Sequence, residues 1–349
     1  MQFSNSLVQW YLQNKRDLPW RDTTNPYFIW LSEIMLQQTR VAQGLPYFIS
    51  FTEAFPTVFD LANADEEQVL KLWQGLGYYS RARNLHGTAK YVATELNGVF
   101  PDNYTELLKL KGVGEYTAAA IASFSFNEPV AVLDGNVYRV LSRYFNMDND
   151  ISDAKSKKIF HSLAQEVLLK DKPALFNQAI MEFGALQCVP KSPDCENCIF
   201  SSSCGALQYK KVGQLPVKSK KTKVTNKYFN YLILKDETEQ YIVQKREGKG
   251  IWENLYEFPM METAILMEPM EMENQIEKTN FFGQKAAEIY LLNESVINHK
   301  LSHQHLFIRF YLVRFDSKLP DSKTLTEIIK LPFPIVIHNF LLSDYFNSH

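Results

Sequence analysis

Apolar residues recur at helical spacing through most of the first 209 positions. The pattern predicts helices over 27–37, 65–73, 104–110, 115–125, 136–145, 155–168 and 173–186, separated by Pro, Gly and Asn. Pro26, Pro56 and Pro101 each stand near a helix start, where a missing N–H costs nothing. Beyond residue 226 the period shortens. YFNYLILK (228–235) and QYIVQKRE (240–247) flank a polar turn and read as a hairpin, and HLFIRFYLVRF (305–315) reads as a further strand. The closing FPIVIHNFLLSDYF fits a strand or a helix. The fold class expected is a mainly α domain over 1–209, a linker over 210–226 and an α+β domain over 227–349.

The linker KKVGQLPVKSKKTK (210–223) carries six lysines and no acid. It reads equally as a solvated tether or as a strip lying along phosphates. The whole chain of 349 residues has 46% hydrophobic and 22% charged residues, as in an ordinary globular protein, and a net charge of −2. A balanced total does not exclude a nucleic-acid partner, because phosphate binding needs only one basic face. No run of about 18 apolar residues suggests a membrane span. The start lacks the basic and apolar regions of a secretory signal, so a cytoplasmic, nucleoid-associated location is expected.

The four cysteines all fall in Cys188-x6-Cys195-x2-Cys198-x5-Cys204. Such clustering in a reducing compartment predicts metal binding rather than disulfides, and the spacing alone admits iron–sulfur or zinc. LKGVGEYTAAAIASF (110–124) offers Gly112 and Gly114 for a tight turn, followed by a small-residue helix. The free N–H groups at that helix's start form an anion site suited to a DNA phosphate, a helix-hairpin-helix. The plainer reading is an ordinary helix connection. Two carboxylates stand out. Asp134 precedes a helix and reads first as an N-cap. Glu33 sits among Ile29, Trp30, Ile34, Met35 and Leu36; buried there, it would hold its proton as a general acid, whereas on an amphipathic surface it would not.

WLSEIMLQQTRV, WQGLGYYSRARNL, LKGVGEYTAAAI, LDGNVYRVLSR and the cysteine segment resemble, in this order, the MutY adenine DNA glycosylases of the endonuclease III superfamily. The resemblance covers residues 16–204 and implies a DNA glycosylase acting on adenine opposite 8-oxoguanine or guanine in double-stranded DNA, as a monomer. It implies that Glu33 protonates N7 of the flipped adenine and that Asp134 steadies the cationic sugar, with Asn136 and Tyr116 orienting the ring and Asp134. Trp20, Arg21, Leu36 and Glu182 match adenine-pocket positions. Gln38, Thr39 and Tyr78 match residues that enter the duplex near the opposing base. Tyr116 stands where the strand-cleaving relatives have a Schiff-base lysine, which implies base removal without efficient lyase action.

The resemblance assigns a [4Fe–4S] cluster to Cys188, Cys195, Cys198 and Cys204, folding a loop that presents Lys191 to the DNA backbone. The C-terminal region resembles the Nudix-like domain of the same enzymes. It lacks an Arg-Glu-x-x-Glu-Glu run, so recognition rather than pyrophosphate hydrolysis is expected. HKLSHQHLF (299–307) matches the loop that probes 8-oxoguanine, with Ser302 and His303 as the reading residues and Leu301 where the family more often has Phe. A bifunctional endonuclease III-like enzyme, a DNA-binding module without chemistry and a zinc-stabilised scaffold are the competing readings.

Overall fold

The structure, a computed structural model, describes residues 2–219 and 223–347; the part of the expected linker at 220–222 lies outside them. The expected helices form as Pro26–Leu36, Glu66–Leu72, Tyr104–Leu107, Glu115–Phe126, Gly135–Tyr144, Ala154–Val167 and Pro173–Leu186. Pro26 and Pro173 occupy first-turn positions, and Asn25, Asp134 and Asp153 cap helix starts by accepting backbone N–H bonds. Gln2–Asn14, Val41–Ala54, Val58–Asn63 and Ser80–Glu95 are helices that the pattern did not mark. Val41–Ala54 contains Pro46, and Ser80–Glu95 is largely polar, so neither presents a clean apolar stripe.

The chain folds into two compact units. The first comprises residues 1–63 and 84–220, the second residues 64–83 and 221–349. The borders differ from those expected at 209 and 227. Residues 64–83 belong with the second unit, and 211–219 pack on the first: the Leu215 carbonyl accepts from Arg143 at 3.0 Å, and the Val217 carbonyl accepts from the Ile151 N–H at 3.0 Å. That stretch is therefore not a solvated tether. In the first unit, Leu7, Tyr11, Val140, Leu141, Phe160 and Phe176 form a core between the helices Gln2–Asn14, Gly135–Tyr144, Ala154–Val167 and Pro173–Leu186.

The run before Asp134 is extended but joins no sheet. Its buried backbone is satisfied by side-chain amides instead: Gln165 accepts from Ala131, while Asn177 accepts from Val132 and donates to the Val130 carbonyl.

In the second unit the strands are β1 Thr225–Lys235, β2 Gln244–Lys245, β3 Tyr256–Glu257, β4 Met260–Thr263, β5 Glu288–Leu291, β6 Ile297–Lys300 and β7 Gln304–Arg314. The expected hairpin between 228–235 and 240–247 is corrected. After a bridge at Lys235 and Tyr241 the chain diverges, and β2 pairs with β3. β1 pairs instead with β7, in parallel along its whole length, and with β4 on its other edge. The physical reason is burial: positions 229–235 are buried without alternation, so β1 is a central strand needing cover on both faces. Leu232 and Leu234 pack with Met272 and Ile276 of the helix Pro269–Glu277 on one face. On the other face, Phe310 stacks on Phe340 of the closing helix Ile335–Leu341 at 3.7 Å.

Candidate active site

The first unit holds a cavity of about 590 Å³ whose lining includes Trp20, Arg21, Glu33, Leu36, Thr39, Tyr116, Asp134, Asn136 and Glu182. Residues from five separate stretches of sequence thus meet around one space large enough for a nucleobase.

Glu33 lies on the inner face of Pro26–Leu36 and is 5% exposed, so the surface reading of this residue is excluded. Its carboxylate accepts a short hydrogen bond from the Tyr116 hydroxyl. Burial pushes its pKa to about 7, with the nearby Asp134 charge adding to the rise and the Tyr116 bond and Arg21 opposing it. Burial also raises the Asp134 carboxyl, but bonds from the Val137 N–H at 2.7 Å and the Asn136 amide at 2.6 Å pull it back, one to each oxygen. Arg139 donates to the Asn136 side-chain oxygen at 2.8 Å, and Arg has no acceptor, so the Asn136 NH₂ must face Asp134. Asp134 is therefore both the N-cap of Gly135–Tyr144 and a side chain at the cavity wall whose two oxygens each accept a hydrogen bond.

Glu182, 1% exposed, accepts from the Arg16 N–H and from the guanidiniums of Arg16 and Arg21. Burial would raise its pKa, but these partners outweigh that and hold it at about 2. It anchors two cations at the cavity edge. The pattern had not marked Arg16, whose only signal was its place just before the Leu-Pro-Trp stretch. Trp20 packs edge-on against Phe48 with ring centroids 5.1 Å apart.

The hairpin follows its glycines unequally. Gly112 adopts φ +79°, and a Cβ there would lie 2.9 Å from Cβ of Asn84. Gly114 does not use positive φ, contrary to expectation; it is the extended N-cap of Glu115–Phe126, with open space where a Cβ would be and no side-chain cap. The first N–H groups of that 12-residue helix remain available to an anion. Thr39 lines the cavity, while Gln38 is exposed beside it in a left-handed conformation (φ +57°), a strained backbone of the kind kept at functional positions. Tyr78, Ser302 and His303 belong to the second unit. Ser302 and His303 are exposed at the tip between β6 and β7, where the Leu301 N–H and the Gln304 carbonyl close a two-residue turn at 2.8 Å.

The four cysteines line one cavity walled by Val140, Tyr144, Phe183 and Phe200. Among the described residues no three His, Cys, Asp or Glu side chains converge as a single metal ion requires. Four thiols around one void are a donor set that fits an iron–sulfur cluster or zinc. Burial pushes the Cys198 thiol up to about 11 and raises Cys195 and Cys204, each worsened by the other sulfurs. Burial therefore favours the neutral thiols, and metal binding there would release their protons. Arg143 is buried beside them, with Nη1 3.4 Å from the Cys188 sulfur. Arg139 donates to the carbonyls of Cys188 (2.7 Å) and Gly184 (2.6 Å) as well as to Asn136, so it ties the cysteine loop to the Asp134 cap. Two arginines one turn apart on an apolar helix face were the available signal for this pair.

The family described as HhH-GPD superfamily base excision DNA repair protein matches residues 31–166, and the NUDIX domain family matches residues 230–343. A relative named adenine DNA glycosylase from Buchnera aphidicola subsp. Baizongia pistaciae (strain Bp) is 36% identical over 307 residues, covering 88% of this chain and 84% of that protein. The adenine DNA glycosylase of Homo sapiens is 44% identical over 215 residues, covering 59% of this chain and 39% of that protein. The solved structure of a thermostable thymine-DNA glycosylase is 30% identical, with a TM-score of 0.55 over 59% of this chain and 95% of the other. A non-covalent endonuclease III–DNA complex, at 20% identity and a TM-score of 0.52 over 60% of this chain and 95% of the other, shares the fold. No helix among the described residues is long and apolar enough to cross a membrane. By sequence along most of its length, and by the helical and Nudix-like units it folds into, the chain belongs to the adenine DNA glycosylase family of the HhH-GPD superfamily.

Proposed function

We propose that this chain is a monofunctional DNA glycosylase that hydrolyses the N-glycosidic bond of adenine mispaired with 8-oxoguanine or guanine in duplex DNA. The observation that carries the reading is the pair Glu33 and Asp134 on one nucleobase-sized cavity, electrostatically coupled, with Glu33 half-protonated near neutral pH.

Adenine must leave the helix stack to reach such a cavity. Glu33 then gives its proton to N7, so the bond to C1′ breaks with its electron pair moving into a neutral leaving base. Asp134 steadies the cationic sugar, water adds at C1′ and loses a proton, and free adenine and an abasic site result. Asn136 and Arg139 fix the Asp134 oxygens, while Tyr116 fixes Glu33. Tyr116 stands on the cavity wall and cannot form a Schiff base, in keeping with base removal without lyase action. The GVG hairpin and the Gln38–Thr39 turn hold the backbone and the gap left by the extruded base. Ser302 and His303 read the opposing 8-oxoguanine, using a hydroxyl and an imidazole 3.2 Å apart as donor and acceptor. Cys188, Cys195, Cys198 and Cys204 would hold a [4Fe–4S] cluster, which when bound supplies structural cross-linking of the loop carrying Lys191 rather than chemistry at the base.

Single-turnover gel assays with adenine opposite 8-oxoguanine, guanine and thymine test the reading. Asp134→Asn keeps a capping side chain, so it should fold normally yet lose most excision; full activity in that variant overturns the assignment. Ser302→Ala with His303→Ala should erode the preference for 8-oxoguanine over guanine. Borohydride trapping of a protein–DNA adduct on an abasic duplex would count against the monofunctional reading.

A further inference from the structure

Residues 64–83 lie in the helical half of the sequence but pack as part of the second unit. Within that unit the attachment is polar and made at several points. Glu67 accepts from the Tyr256 hydroxyl at 2.8 Å and from the Lys245 ammonium at 3.3 Å, and Glu66 accepts from the Asn254 amide at 2.6 Å. Arg83 grips Glu253 twice, at the carboxylate (2.7 Å) and at the backbone carbonyl (2.8 Å). Lys71 donates to the carbonyls of Ile329 (2.7 Å) and Leu331 (3.1 Å), and Gln74 to that of Phe333 (2.7 Å).

Between these clamps the chain makes a turn with positive φ at Gly75, Gly77 and Tyr78. Trp73 Nε1 donates to the Gly77 carbonyl at 3.0 Å. Arg81 lies over the Trp73 and Tyr78 rings, 5.3 and 5.6 Å from their centroids, and donates to the carbonyls of Leu76 and Gly77. The turn is braced from inside, and it leaves the Tyr78 ring 42% exposed on a left-handed backbone. A large aromatic held outward on strained backbone is an arrangement for contact, not for packing.

We infer that residues 64–83 and the rest of the second unit act as one reading body for the base opposite the excised one, with Glu66, Glu67, Arg83 and Glu253 as positioning residues that fix Tyr78 relative to Ser302 and His303. This rests on the opposing-base reading proposed above. A ring inserted into the stack and a loop probing a base edge give a sharp response only when neither moves independently, because small misplacements are costly in transition-state terms. Each half-buried clamp contributes modestly alone; together they decide whether two contacts report jointly or separately. Breaking them erodes discrimination while leaving the residues around the excision cavity untouched.

The test uses the full chain with Glu66→Ala, Glu67→Ala and Glu253→Ala combined, checked for a cooperative melt. Glu67→Gln with Arg83→Lys serves as the milder set if the triple variant does not fold. In each background, Tyr78→Ala, Ser302→Ala with His303→Ala, and their combination are assayed for the ratio of single-turnover rates opposite 8-oxoguanine and guanine. With clamps intact, the combined effect on this ratio is expected to depart from the product of the separate effects by at least about threefold. With clamps removed, the effects should multiply and the starting ratio should fall. Coupling of unchanged size without clamps overturns the inference alone. If neither Tyr78→Ala nor the loop pair alters the ratio even with clamps intact, the opposing-base reading falls and takes the inference with it.

Discussion

At Glu33, burial and chemistry pull in opposite directions. A carboxylate 5% exposed among Ile29, Trp30 and Ile34 is held protonated to about pH 7, and the Tyr116 hydroxyl is what stops the rise going further. Glu33→Gln should cut single-turnover excision by about 10²–10⁴-fold, the usual yield of a general acid. In the wild type the rate should fall as pH rises through about 7, a limb the variant lacks; the pH–rate profile of both proteins checks this. The same residue shapes stability. Its folded pKa lies above its ordinary value of 4.5, so its stabilising contribution is complete below pH 4.5 and is lost as pH rises through about 7. The loss is on the order of 3 kcal/mol for a fully buried group. Chemical denaturation at pH 5 and pH 8 should therefore show the wild type losing more stability over that interval than Glu33→Gln; equal losses would contradict the buried, protonated state. The apolar neighbours of Glu33 were legible in the sequence. Whether they formed a pocket or one face of a surface helix was not, because a single helix turn does not reveal what covers it.

At the scale of elements, the Asp134 oxygens are set by a relay across three segments. The start of Gly135–Tyr144 supplies the N–H of Val137, Asn136 bridges to Arg139, and the helix Pro173–Leu186 comes close enough at Gly184 that a Cβ there would lie 2.6 Å from Cβ of Asn136. Gly184→Ala should displace Asn136, lowering excision while costing about 1–3 kcal/mol of stability. A melt together with single-turnover kinetics separates the two effects, and a variant with wild-type rates would show that the Asn136 position is not critical. Arg139 joins this relay to the carbonyl of Cys188, so the cysteine loop and the Asp134 carboxylate share one buried hydrogen-bonded group. The motif LDGNVYRVLSR made Asp134 and Asn136 visible as candidates. Arg139 and Arg143 left only the faint signal of two arginines one turn apart, and Gly184 left none, since their roles exist only once two helices and a loop are packed together.

At the scale of the whole molecule, the cluster proposed for the four cysteines should be needed for the first unit's site. Protein stripped of iron, or carrying Cys198→Ser, should lose visible absorbance, melt at lower temperature and lose duplex binding and excision together, because the loop hangs on Arg139 and Arg143. An iron-free protein with undiminished excision would break that link. The division of the chain was partly legible: the change from period 3.6 to strand-like runs after residue 226 marked a second domain, and YFNYLILK marked a strand, though as one arm of a hairpin. The pairing of β1 with β7 was hidden, because local turn chemistry favours the nearest strand while burial on both faces selects the longest apolar partner.

The sequence by itself determined the cysteine spacing and the existence of a sheet domain and offered the helix-hairpin-helix and the two carboxylates as candidates, because each rests on local periodicity, capping or spacing. Only the tertiary structure decided that Glu33 is buried against Tyr116, that Glu182 binds two arginines, and that residues 64–83 pack with the sheet rather than with the helices that flank them in sequence. Protonation and partnership depend on what lies across a contact, and contacts between residues up to 260 positions apart leave no local trace in the order of side chains.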